Sequence, residues 1–277
     1  MSQKTTEILK SLEEGIQSLF ESENYKNYLK FMAGFHSYSL NNTLLIYHQF
    51  PTATLVAPYR EWQRRHRHVK KGASGIRVIA PHTFKSKKKN SDEETDRLGF
   101  HVATTFEVSQ PDPDDAKGEI PEICHKLTGN LSDATLLDTL VAICPVPVRF
   151  EPIPGSANGY FSSQNNEIVV DDTNDQRQML KSMIHEQSHM WHCRFDPDFD
   201  KCPRQDKEVI AESCAYTVCN YLGIPSDDYS FGYVAGWGSR DMKELKKHLD
   251  LIRKISDKII SEIEAATCTD NQEQQQP

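Results

Sequence analysis

The five residues His185-Glu186-Gln187-Ser188-His189 constrain this chain more than any other feature. Two histidines four apart share a face, and can share an ion, when the segment is helical. The surrounding sequence has that periodicity. Met179, Leu180, Met183 and Ile184 supply an apolar face, which predicts a helix over about 174–193. Two imidazoles do not complete a hydrolytic zinc site, whose usual third ligand is a carboxylate. Glu208 lies 19 residues beyond His189, in a second helix-like segment (about 206–222) that ends at Gly223 with Pro225 just past it. Glu212, one turn later, can accept a hydrogen bond from a ligand imidazole and fix its tautomer. Asp206 and His192 compete with Glu208 for the third position, although Asp206 also suits a helix start. Cys193 and Cys202 are close in sequence, but the pattern asks for an oxygen or nitrogen ligand.

These residue types at this spacing point to zinc-assisted hydrolysis of a peptide bond. The ion would acidify a water and polarise the scissile carbonyl. Glu186 would take the proton and pass it to the leaving amine. A further donor is needed for the developing oxyanion. Tyr233, in the stretch Phe231-Gly232-Tyr233-Val234-Ala235-Gly236-Trp237, is one candidate, and Tyr160 and His192 are others. The strand expected at Glu167–Val170 offers an edge to an extended peptide.

The 277 residues suffice for one large or two modest domains. Ile8, Leu12 and Ile16, then Tyr28, Phe31, Met32 and Phe35, predict helical structure over 5–35 with a polar break at 21–24. A cap at Ser39 and a short helix before Pro51 follow. A short strand is expected at Ile76–Ala80, a polar loop or hairpin tip over 84–97, and a further strand over 99–110. The stretch PDPDDAKGEIP (111–121) reads as a linker, which places a domain boundary near 125. Beyond it come a helix at 132–143, strands at 146–150, 159–161 and 167–170, the two helices already named, and a tail helix at 240–265. Residues 267–277 read as a disordered tail.

A net charge of -8 excludes a chain-wide basic footprint, so any nucleic-acid surface is local. Residues 59–77 are the place for it, with Arg60, Arg64, Arg65, Arg67, Lys70, Lys71 and Arg77 against the single acid Glu61. Tyr59 and Trp62 sit among them as candidate stacking residues for single-stranded DNA, and Asn41 and Asn42 precede them as polar contacts. The alternative is a solvated basic helix face with Trp62 in the local core. Helix-turn-helix and zinc-finger spacings are absent. Seven cysteines, an odd number, without a signal-like N-terminus argue against a disulfide framework, and Cys214 and Cys219 read as small buried hydrophobes. A cytoplasmic protein with no membrane partner is expected.

Read as ordered blocks, the chain resembles the ArdC-type antirestriction proteins. The blocks are FHSYSLNNTLLIYHQFP (35–51), ATLVAPYREWQRRHRHVKKGASGIRVIAP (53–81) and GFHVATTFEVSQ (99–110), then NGYFSSQNNEIVV (158–170), MIHEQSHMWHC (183–193), KEVIAESCAYTVCNYLGI (207–224) and YVAGW (233–237). The second half is similar, more distantly, to the ImmA/IrrE metallopeptidases. The resemblance implies an α+β chain with a single-stranded-DNA-binding domain over 1–125 and a zincin-like metallopeptidase domain over 126–266. It also implies His185, His189 and Glu208 as metal ligands, Glu186 as catalytic residue, a DNA-binding side from Asn41 through Lys71, and an unidentified protein or peptide substrate. The stretch 82–98, and Met-Trp-His-Cys after the second histidine, depart from the family pattern.

Overall fold

Helix α1 (Gln3–Gln17) buries Ile8, Leu12 and Ile16, each four residues from the next, so that one stripe faces inward. The computed structural model describes residues 3–20, 22–87, 94–114, 132–226, 229, 231 and 241–273. They fall in two units, Met1–Leu19 with Tyr38–Ile123, and Phe20–Ser37 with Cys124–Pro277. The boundary expected near 125 lies outside the described residues. Residues 20–37, expected in the first domain, cluster with the second unit. The reason is helix α2 (Ser22–Gly34), whose buried Tyr25, Tyr28, Leu29 and Met32 find their apolar partners there.

In the first unit, helix α3 (Leu40–Gln49) packs on α1 and is capped by Ser39, whose Oγ accepts the Asn42 N–H. Then come β1 (Val56–Pro58), α4 (Tyr59–Arg64), β2 (Arg67–Val69), β3 (Ile76–Lys87), β4 (Glu94–Glu107) and β5 (Pro111–Pro113). Strands β1, β4 and β3 form an antiparallel sheet in that order, and β2 pairs with β5. Gly72, with φ of 89°, makes the left-handed turn before β3.

Two expectations change here. The polar stretch 84–97 is paired strand at both ends, with Phe84 opposite Arg97 and Lys85 opposite Asp96; its tip, 88–93, lies outside the described residues. Lysines followed at once by acids read as a loop in one dimension, but a hairpin sets opposite charges across from one another. The start of the expected linker, Pro111–Pro113, is a strand of the β2–β5 pair.

In the second unit, α5 (Asp133–Ile143) precedes β6 (Val148–Phe150), β7 (Gly159–Ser162) and β8 (Glu167–Val170). The sheet order is β6-β8-β7, with β6 parallel and β7 antiparallel to β8. Helix α6 (Gln176–Phe195) follows; its N-cap Asp175 accepts the Gln178 N–H at 2.8 Å. It packs against β7, β8 and α5. Helix α7 (Arg204–Leu222) stops at Gly223, whose φ is 72°. The long helix α8 (Met242–Glu273) buries the stripe Ile252, Ile255, Ile259 and Ile263. It extends past the expected end, through residues read as a disordered tail; residues 274–277 lie outside the described ones. The strong helix formers Glu262, Glu264, Ala265 and Ala266 carry it onward. Cys214 and Cys219 are fully buried, as expected, and Cys144, Cys193, Cys202, Cys214 and Cys219 are free thiols. The mix of helices and strands is of the α+β class. Among the described residues no helix is long and apolar enough to cross a membrane.

Candidate metal centre

Helix α6 is seated by its apolar face. Leu180, Met183 and Ile184 are wholly buried, as are Ile168, Val169 and Val170 of the β8 strand that α6 packs against. Gln187 anchors the helix further, its side-chain amide donating to the Leu140 carbonyl of α5 at 2.9 Å. His185 and His189 project together, their Nε2 atoms 3.1 Å apart. Helix α7 brings Glu208 to the same point, with Oε2 at 3.4 Å from His185 Nε2 and 3.6 Å from His189 Nε2. Three donors each about 2.1 Å from one tetrahedral ion would stand roughly 3.4 Å apart. The donor set therefore fits a single divalent cation without rearrangement, and Asp206 and His192 are not members of it.

The charges around the donors explain their titration. Hydrogen bonding to His185 and His189 holds the Glu208 carboxyl far below the usual carboxylate range. Burial works to lower the His185 pKa, but Glu208, Glu186 and Glu212 outweigh it and hold it above its ordinary value. Glu186 is buried beside the histidines, and desolvation pushes its carboxyl up. The Phe161 backbone and the two histidines work against that rise. Glu212, expected to accept a hydrogen bond from a ligand imidazole, acts on His185 through charge, while the Glu208 carboxylate stands 3.4 Å from the His185 ring. Burial raises the Glu212 carboxyl as well.

These groups line one cleft of about 770 Å³. One wall is β7, which passes so close to Glu186 that a Cβ on Gly159 would stand 3.0 Å from the Val169 carbonyl oxygen and 3.1 Å from Glu186 Cγ. Any larger residue there would force the carbonyl or the Glu186 side chain to give by a few tenths of an ångström. Tyr160 lines the cleft with an exposed ring, so it remains available as an oxyanion donor. His192 does not: it has no exposed surface, because it sits beneath Phe199, with ring centroids 4.9 Å apart. Tyr233 lies outside the described residues. Sequence reasoning missed Lys181, Arg204 and Lys207, which bring three cations to the cleft, and Tyr229. Scattered lysines and arginines on helices carry no pattern that marks them; only the glycine at 159 hinted at a close approach.

The basic segment separates into two groups. Trp62, expected to stack on a base, is fully buried, and its indole N–H donates to the Phe106 carbonyl at 3.0 Å. Arg67 is buried and donates to the Pro111 carbonyl. Asn42 brackets the backbone of Ile79, donating to its carbonyl at 2.9 Å and accepting its N–H at 2.8 Å. These three are structural. Asn41, Tyr59, Arg60, Arg64, Arg65, Lys70 and Lys71 are exposed. Arg64 and Arg65 both reach Glu61, and Lys70 pairs with Asp112.

Residues 1–109 match the family model for the N-terminal domain of anti-restriction factor ArdC. The crystal structure of the antirestriction ArdC protein from plasmid R388, in its metal-free form, shares the fold, with a TM-score of 0.55 at 19% identity over 83% of this chain and 84% of that one. The first 109 residues are thus similar to the ArdC N-terminal domain, and the chain shares the fold of the R388 protein. The Mn(II)-bound structure of the R388 protein matches with a TM-score of 0.53 at 20% identity over the same shares of the two chains. An uncharacterized protein of Bacillus anthracis, pXO2-81, is 22% identical over 307 residues, covering 95% of this chain. This chain spans only 52% of that protein's length.

The two candidate sites stand differently toward the comparisons. The basic segment 59–77 falls inside the span matched by the family model. The His185–Glu208 constellation lies beyond residue 109, where the likeness to the R388 protein is one of fold.

Proposed function

We propose that this chain is a zinc-dependent metallopeptidase that carries a single-stranded-DNA-binding module and serves an antirestriction or mobile-element role. The observation that carries the hydrolytic reading is the convergence of His185, His189 and Glu208 at 3.1–3.6 Å beside the buried carboxylate of Glu186. His185, His189 and Glu208 would hold the ion, which when bound supplies Lewis acidity and an acidified water. Glu186 is the proton carrier. Its raised pKa brings it nearer the working range of a general base that must return its proton to a leaving amine. Strand β7 lies against Glu186 at Gly159, and Tyr160 at the cleft mouth is the candidate donor to the oxyanion. The R388 likeness supports the antirestriction role and a divalent metal. The exposed basic residues of the N-terminal domain support DNA binding.

Glu186→Gln in the full chain tests this reading. The variant should keep as much zinc as the parent and lose cleavage of an unstructured polypeptide by about 10²-fold or more. A parent that holds zinc at His185 and His189 yet cleaves no more than Glu186→Gln would make the metal structural, leaving a DNA-binding antirestriction protein without turnover.

A further inference from the structure

A second group of metal-ligating side chains lies apart from the cleft. Asp206 sits on the first turn of α7, and Glu244 and His248 sit near the start of α8. One donor atom of each lies within 4.8 Å of the other two. Glu244 and His248 are four apart on one helix, the spacing that also brings His185 and His189 together. Asp206 is 1% exposed and His248 6%, while Glu244 is open to solvent. Asp206 and Glu208 share α7 but are two residues apart, so they leave the helix in different directions and serve different places.

A separate observation points to a ligand here. His192 has no exposed surface, and neither of its ring nitrogens has a hydrogen-bond partner. Asp196 Oδ2 stands 3.7 Å from its Nε2, too far for a hydrogen bond, and His248 is close enough to act on its charge. Polar groups this buried are nearly always satisfied. His192 is not one of the three grouped donors, but a buried imidazole left without such a partner shows that polar groups near His248 are incompletely satisfied.

We propose that Asp206, Glu244 and His248 bind a second divalent transition-metal ion, which ties the start of α8 to the start of α7. Two carboxylates and an imidazole suit zinc or manganese better than calcium or magnesium, which favour oxygen alone. The donors need to draw in from 4.8 Å toward roughly 3.4 Å, a movement within the reach of side-chain rotation. Exposed Glu244 marks the entry path. The role is structural, and the proposal stands independently of the hydrolytic reading.

The test is zinc bound per full-length chain, measured after reloading with Zn²⁺ and removal of free metal, together with thermal unfolding with and without Zn²⁺. The parent should hold two equivalents and the His185→Ala/His189→Ala chain one. In that double-variant background Zn²⁺ should still raise the melting temperature, and His248→Ala should abolish both the remaining equivalent and the rise. Glu244→Gln, an exposed and mild change, should weaken the remaining site about tenfold or more, which guards against a His248 variant that fails to fold. A double variant that holds no zinc and melts identically with and without it overturns the proposal, as does an equivalent unmoved by Glu244→Gln. A parent with one equivalent, all of it retained in the double variant, upholds this site and removes the metal from the cleft.

Discussion

The Nε2 atoms of His185 and His189 lie 3.1 Å apart, close enough to share one ion and too close for both rings to be charged at little cost. A proton and a metal therefore compete for His185. Because the acids around it outweigh burial, His185 stays protonated at a pH where a solvated histidine, with its pKa of 6.5, is neutral. Metal uptake must displace that proton. Affinity is then full above the raised His185 pKa and falls as pH drops through it, by about tenfold per pH unit for one proton released. Calorimetric Zn²⁺ titrations at about pH 6 and about pH 8, in buffers of differing ionisation enthalpy, should show greater proton release at the lower pH. Equal affinity and equal proton release at both would contradict the geometry.

Asn42 and Gln49 perform one task on the opposite side of the sequence. Strand β3 is an edge of its sheet, and Asn42 brackets Ile79 as Gln49 brackets Arg77, each amide accepting one backbone N–H and donating to the same residue's carbonyl. The side chains of α3 thus stand in for a missing strand. Asn42→Ala should cost about 1–3 kcal/mol in urea unfolding, since it leaves backbone groups unanswered. Asn42→Asp should cost more, because it sets a carboxylate against the Ile79 carbonyl. Exposed Asn41→Ala should stay within about 0.5 kcal/mol. Equal stabilities for the Asn41 and Asn42 variants would refute this assignment.

The grouping of His185, His189 and Glu208 was legible because its determinants are local. The i, i+4 pair needs only a helix, and Glu208 needs only that the next helix pack alongside. Sequence could not decide between the two readings open for Trp62, or show that Asn42 holds a strand, for the opposite reason. Polar and aromatic residues in a basic stretch look like a DNA surface, yet their partners, Phe106 and Ile79, lie 44 and 37 residues away. For 84–97 a loop and a hairpin tip were both open, and the structure pairs the ends as a hairpin. The meaning of its charges is set by the register of two strands, which no window of sequence displays. The cleft cations Lys181 and Lys207 were invisible because nothing in their spacing distinguishes them from solvated helix residues.

His192 makes a prediction about acid stability. Burial lowers its pKa from 6.5 to about 4, with Asp196 opposing the shift. Between these values the unfolded chain binds the proton and the folded chain does not. Stability from this group is thus fully present above pH 6.5 and is lost as pH falls toward 4. The loss has an upper bound of roughly 3 kcal/mol. His192→Phe, which fills much of the space without a titrating group, should flatten the decline by about 1–3 kcal/mol in urea unfolding with a chelator present. Parallel declines for parent and variant would show that His192 is not the group responsible.

The division of the basic segment into exposed and structural residues makes the DNA reading quantitative. Arg60, Arg64, Arg65 and Lys71 are exposed, and Glu61 holds two of them in one neighbourhood. Each phosphate they neutralise should contribute about 0.7 to the slope of log affinity against log salt for a single strand. Replacing all four by alanine should therefore lower the slope by about 2–3 and weaken oligothymidine binding, as read by fluorescence anisotropy. Tyr59→Ala should cost about 1–3 kcal/mol of binding without changing the slope, since its exposed ring supplies stacking and no charge. Trp62→Phe should behave differently from both. It removes the hydrogen bond to the Phe106 carbonyl and so lowers stability, while leaving the salt slope of the folded protein unchanged. A slope unaffected by loss of the four cations would remove the DNA assignment from this face. A Trp62 variant that folds normally but no longer binds would restore the indole as a contact.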